Sequence, residues 1–120
     1  MATIKRFQDL EVWQKSHQLV LDVYRVTGYF PSEERYGLTS QMRRAAVSVP
    51  ANIAEGFKRR GKAEKIRFYN ISEASLEELK YFLILSQDLD YIADAGELMD
   101  AAETISRMLH GLIRSIEGRK

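Results

Sequence analysis

Apolar residues recur at three- and four-residue steps through most of the chain, and no stretch alternates strictly enough to make a strand. The pattern predicts four helices. The first covers about residues 9–27, with Leu10, Trp13, His17, Val20 and Tyr24 on one face and Asp9 suited to the N-cap. A second apolar line, Val12, Leu19, Val23 and Val26, runs along the same helix. Gly28 suits its C-terminus, and Pro31 disfavours helix in the residue before it, so a connector follows to about Gly37. In the second helix, about residues 38–59, Leu38, Met42, Ala45, Ala46, Val49, Ile53 and Phe57 keep phase across Pro50. One helix kinked at the proline is expected there rather than two.

Gly61 turns the chain into a third helix, about residues 62–90, with Phe68, Ser75, Leu79, Phe82 and Leu89 along one side. The fourth, about residues 95–117, carries the seam Leu98, Ala102, Ile105, Leu109, Leu112 and Ile116. Short connections between the later helices make neighbours antiparallel, so the expected fold is all-α: an antiparallel up-and-down four-helix bundle. At 120 residues the chain has room for one domain, residues 1–120, burying about 65% of its unfolded surface. Tyr81-Phe82-Leu83-Ile84-Leu85 exceeds what one bundle requires, because five consecutive helical residues point right round the cylinder. That surplus predicts a homo-oligomer; the competing reading is that the third helix is merely the most central.

Composition narrows the chemistry. Apolar residues at 45% and charged residues at 29% exclude a disordered chain and a membrane protein as whole-chain classes. No cysteine is present, so disulfides, thiolate metal sites and cysteine nucleophiles are excluded. The start carries Lys5 and Arg6 without an apolar run behind them, and no membrane span is visible, so a cytoplasmic protein is expected. Asn70-Ile71-Ser72 matches a glycosylation sequon by chance inside a helical pattern.

Catalytic constellations are sparse. His17 and His110 stand on different helices, and neither has a glutamate three residues before it, so the di-iron bundle signature is missing. His17 reads as a hydrogen-bonded core histidine and His110 as a rim residue. Glu73, Glu77 and Glu78 read as a solvated face. Residues 56–63 follow the phosphate-loop pattern up to its last position, where Ala63 stands in place of the magnesium-holding hydroxyl, and a helix rather than a strand precedes it. No enzyme activity, metal or other cofactor is expected.

The net charge is only +1, but it is unevenly spread. Between positions 43 and 67 the basic residues are Arg43, Arg44, Lys58, Arg59, Arg60, Lys62, Lys65 and Arg67, against Glu55 and Glu64, an excess of six. From Phe68 onward five basic residues face ten acidic ones. The cluster at 58–67 sits at the corner between helices two and three, where flexible cations neutralise several phosphates. The eight basic residues are therefore candidate RNA or DNA contacts; a solubilising turn that pairs with a neighbour's acidic helix is the alternative. A polar stripe, Gln41, Arg44, Ser48, Asn52, Glu55 and Arg59, follows one flank of helix two. It lines a groove or forms a hydrogen-bonded seam.

Three segments carry a family resemblance: residues 9–13 (DLEVW), 41–56 (QMRRAAVSVPANIAEG) and 75–79 (SLEEL). Together they resemble the four-helix-bundle proteins encoded in intervening sequences of bacterial 23S ribosomal RNA genes, over about residues 7–92. The resemblance implies antiparallel bundles assembled as pentameric rings, without known enzymatic activity or a settled cellular role. A related accessory protein of diversity-generating retroelements shares the fold and binds nucleic acid and a reverse transcriptase through a basic surface. That analogy and the charge excess together make nucleic-acid binding the leading expectation; the alternative is a protein scaffold or accessory subunit whose polar stripe and surplus apolar face bind another protein without nucleic-acid contact. Within the matching segment the resemblance touches Arg43, Arg44, Asn52 and Glu55, whereas the 58–67 cluster rests on its own charge. Ala74 stands where the family often has glycine.

Overall fold

A computed structural model describes residues 3–119 and shows four helices, α1 (Glu11–Thr27), α2 (Leu38–Lys58), α3 (Lys62–Asp88) and α4 (Gly96–Glu117). Two single 3-10 turns, Phe7–Asp9 and Ser32–Glu34, lie before α1 and in the connector to α2. Among the described residues there is no strand. Each helix packs on its chain neighbours, and α4 closes against α1, which leaves the diagonal pairs apart. Chain direction follows from the contacts: Met42 meets Ser86, Ser48 meets Ser75, and Lys65 meets Phe57, so α2 and α3 run in opposite senses. The bundle measures 50 × 26 × 20 Å.

Pro50 lies inside α2, which is one continuous helix from Leu38 to Lys58. The helix ends otherwise follow the punctuation. Gly28 occupies the C-cap of α1, and the backbone turns out of α3 through Asp90, whose φ of 62° is left-handed. That reversal lets the Tyr91 N–H donate to the Ser86 carbonyl at 2.9 Å, ending α3 two residues sooner than the apolar spacing suggests. Asp9 is not the N-cap of α1, a position taken by Leu10. Its carboxylate instead accepts the Lys5 and Arg6 backbone N–H groups, each at 3.0 Å, and so closes the turn that precedes the helix.

The core-facing sides of α1 and α3 differ from those the apolar spacing predicts. In α1 the buried residues are Val12, Ser16, Leu19, Val20, Val23 and Thr27, while His17 and Tyr24 are exposed and Trp13 is half-buried. Thus the second apolar line supplies three of the four buried apolar residues, Val12, Leu19 and Val23, and the first line only Val20. Ser16 and Thr27 belong to the core face because each hydroxyl donates 2.7 Å back to the carbonyl four residues earlier, which removes the cost of burying it. In α3, Tyr69, Ser72, Leu76, Leu79, Phe82, Leu83 and Ser86 are buried, whereas Phe68 is half-buried and Leu89 exposed. Again serines complete the face: Ser72 donates to the Val49 carbonyl at 2.8 Å and Ser86 to the Phe82 carbonyl at 2.7 Å. The predicted faces of α2 and α4 are those observed, with Phe57, Leu98 and Leu112 half-buried at their margins and Ile113 added to the core.

Candidate nucleic-acid interface

Three residues, Arg59 to Gly61, connect α2 to α3, so the cationic run is folded into a tight corner at one end of the bundle. The N-terminal segment and the end of α4 come to the same place. Lys5 and Arg6 line one surface depression with Phe57 and Lys58, and the charge of Arg119 acts on Lys65 and Tyr69. The opposite end is acidic, with Glu33 and Glu34 in the connector and Asp88, Asp90, Asp94 and Glu97 around the α3–α4 turn. Tyr91 ties those two loops together: its hydroxyl donates to Glu34 at 2.9 Å, and its ring lies 5.3 Å from that of Phe30. That bond, burial and the neighbouring carboxylates raise the Tyr91 pKa above its usual value. The molecule is therefore a rod with a cationic corner at one end and carboxylate-rich loops at the other, where Arg35, Arg43 and Arg44 partly offset the acidic charge.

Within the corner the basic side chains divide by what they touch. Lys65 donates to the last carbonyls of α2, Phe57 at 2.8 Å and Gly56 at 3.2 Å, and so caps that helix. Burial, then the nearby Arg119 charge, lowers its pKa. Arg59 pairs with Glu55 at 3.2 Å and Arg67 with Glu64 at 3.3 Å; their guanidiniums lie 4.6 and 5.3 Å from the Phe68 ring centroid. Phe68 is thereby lined by two cations, each of which spends one nitrogen on its carboxylate and keeps further N–H groups for a ligand. Lys58, Arg60 and Lys62 are exposed and make no ion pair among the described residues. These three are the most available charges of the corner.

Arg43 and Arg44 do not join the corner. Fifteen residues of α2 separate Arg43 from Lys58, about 22 Å at the helical rise. Arg43 crosses to α1, where its Nε donates to Thr27 Oγ1 at 2.9 Å and its guanidinium lies 4.5 Å over the Tyr24 ring. The polar stripe is likewise divided. Ser48 meets Ser75 at 2.8 Å across the α2–α3 interface, and Asn52 donates to the Ser48 carbonyl at 2.8 Å, so the middle of the stripe is a seam between helices. Gln41, Arg44, Glu55 and Arg59 are exposed around it.

His17 is no core residue. It is exposed and stacks on Trp13 with ring centroids 5.1 Å apart and planes 10° from parallel. Sequence reasoning misplaced it by assigning its face of α1 to the core; the neighbouring Phe7, Trp13, Val47, Pro50 and Ala54 instead line an open apolar groove between α1 and α2. Among the described residues no three His, Asp or Glu side chains are placed to hold a metal ion. No described helix is long and apolar enough to cross a membrane.

A helical bundle with a cationic corner is a class shared by proteins of several roles, and comparison narrows it. The 23S rRNA-intervening sequence protein family matches residues 8–111, and this chain belongs to that family. A solved structure from Bacteroides thetaiotaomicron VPI-5482, a protein with unknown function from the S23 ribosomal protein family, is 23% identical. It aligns over 85% of this chain and 97% of its own length with a TM-score of 0.79, which establishes the shared fold. No curated protein matches the chain.

Proposed function

We propose that this protein is a non-enzymatic, oligomeric bundle of the cytoplasm that binds RNA or DNA through the corner between α2 and α3. The observation that carries the reading is the convergence of Lys58, Arg60 and Lys62, without ion-pair partners, with Lys5, Arg6, Arg59, Arg67 and Arg119 at one end of the rod. Such a cluster neutralises phosphates and releases their counterions, which gives affinity without base preference. The Arg59 and Arg67 guanidiniums, packed on Phe68, add flat cationic faces suited to stacking with unpaired bases. Assembly supports the same reading, because a homo-oligomer, a pentamer by family resemblance, multiplies weak single-corner contacts. Tyr81 and Ile84, 57% and 50% exposed, leave an apolar face of α3 open for such assembly.

Fluorescence anisotropy with a structured RNA and a DNA duplex across a salt series tests the proposal. Affinity should fall steeply with salt, and the variant carrying Lys58→Ala, Arg60→Ala and Lys62→Ala should bind at least tenfold more weakly, with a shallower salt slope. Undetectable binding at low salt, or affinity unchanged in that variant, overturns it. The apolar groove beside Trp13 favours a second reading, a scaffold that contacts another protein without touching nucleic acid. On that reading a pull-down recovers a stoichiometric protein partner after nuclease treatment.

A further inference from the structure

A cleft of about 660 Å³ opens between the last turn of α1, the connector and the first half of α2, at the end of the rod away from the cationic corner. Three charged side chains line it, Arg35, Arg43 and Arg44, and no carboxylate does. Glu34, in the same connector, is engaged elsewhere: the Leu38 N–H donates to one of its oxygens at 3.2 Å and the Tyr91 hydroxyl to the other at 2.9 Å. Arg43 is held in place. Its Nε donates to Thr27 Oγ1 at 2.9 Å, its Nη2 to the Tyr24 carbonyl at 3.3 Å, and its guanidinium carbon lies 4.5 Å from the Tyr24 ring centroid. Two of its five N–H groups are spent in this way, leaving three for a ligand. Arg35 and Arg44 are exposed and make no ion pair among the described residues.

We propose that this cleft binds the phosphate of a nucleotide, with Arg43 as the fixed anchor, Arg35 and Arg44 closing on the phosphate oxygens, and Tyr36 covering the base. Guanidinium groups match phosphate oxygens in pairs, and three of them without a counter-charge suit a dianionic monoester better than a single carboxylate. The volume exceeds what a bare phosphate fills and falls within the range of small-ligand sites. Tyr36 lines the same cleft and is 87% exposed, so a ring face is free for stacking. The Ser40 hydroxyl, also on the lining, supplies a neutral hydrogen bond. This site stands about 22 Å along α2 from the corner, and the proposal is independent of the nucleic-acid reading.

Isothermal titration of the full chain at low ionic strength, with adenosine monophosphate and with inorganic phosphate, tests the assignment. Adenosine monophosphate should bind, and Arg44→Ala and Arg35→Ala should each weaken it about tenfold. Tyr36→Ala should weaken adenosine monophosphate while leaving inorganic phosphate unchanged. A single-stranded oligonucleotide with and without a 5′-phosphate separates the sources: a gain from the 5′-phosphate assigns the site to a strand end, and equal affinity assigns it to the free nucleotide. Arg35, Arg44 and Tyr36 are exposed, so thermal unfolding should remain near that of the parent. No binding of adenosine monophosphate up to about 10 mM, or binding unchanged in the Arg35→Ala, Arg44→Ala double variant, overturns the proposal. So does loss of binding in the Lys58, Arg60, Lys62 variant, whereas failure of that variant's RNA test leaves the cleft untouched.

Discussion

Two glycines inside helices show how differently the same residue type is used. Gly56 is buried in the last turns of α2, and a methyl group added to its Cα would stand 2.6 Å from the Tyr69 ring, itself only 2% exposed. Gly56→Ala should destabilise the fold by about 1–3 kcal/mol in urea denaturation, because a buried ring has nowhere to retreat. Gly111, exposed in α4, has nothing within 4 Å of the same position. Gly111→Ala should therefore stabilise by about 0.5–1 kcal/mol in the same measurement, through helix propensity alone. Asp9 offers a test by pH. The Lys5 amide first, then the Arg6 amide, hold its carboxyl below the ordinary value of 3.8, so the folded state favours the charged form. That contribution is complete above the ordinary value and lost as pH falls through the depressed one. The Lys5 and Arg6 amide proton resonances, whose N–H groups donate to that carboxylate, should stay constant from neutral pH to about 5 and shift below about 4. Asp9→Ala should show the shifted amide resonances already at neutral pH.

Among the elements, Lys65 separates capping from binding. Its ammonium satisfies carbonyls at the end of α2, so Lys65→Met should cost about 0.5–1 kcal/mol of stability by thermal unfolding. The same change should weaken RNA binding less than Lys62→Ala does, since Lys62 is exposed and makes no ion pair. Helix limits were legible in the sequence because Gly28, Pro31 and Gly61 break the periodicity at its true ends. The core faces of α1 and α3 were less so, for a definite reason. Ser16, Thr27, Ser72 and Ser86 are buried with their hydroxyls bonded to backbone carbonyls, and counting apolar residues passes over them. Gly56, Ser72 and Ser86, small residues at the α2–α3 interface, are core material that hydrophobicity undervalues. Likewise the 58–67 corner was visible as a charge run, but the removal of Arg43 to α1 and of Lys65 to a cap depends on long-range packing that spacing does not encode.

Across the whole molecule, the five apolar residues at 81–85 divide into two buried, Phe82 and Leu83, one half-buried, Leu85, and two exposed, Tyr81 and Ile84. If that open face is where copies meet, Tyr81→Glu with Ile84→Glu should reduce the particle to 13.8 kDa by light scattering. The same pair of changes should lower RNA affinity without altering any corner cation. A parent protein that already scatters as a 13.8 kDa particle contradicts assembly.

The separation of charge along a 50 Å axis makes each chain an electric dipole with a permanent direction. Near a polyanion it experiences a torque that brings it in tip first, an alignment set before any contact forms. At physiological salt the screening length is about 8 Å, a small part of the rod, so the two tips then sense their surroundings separately. Orientation at a distance consequently belongs to dilute salt, and at higher ionic strength only the tip that has already arrived is attracted.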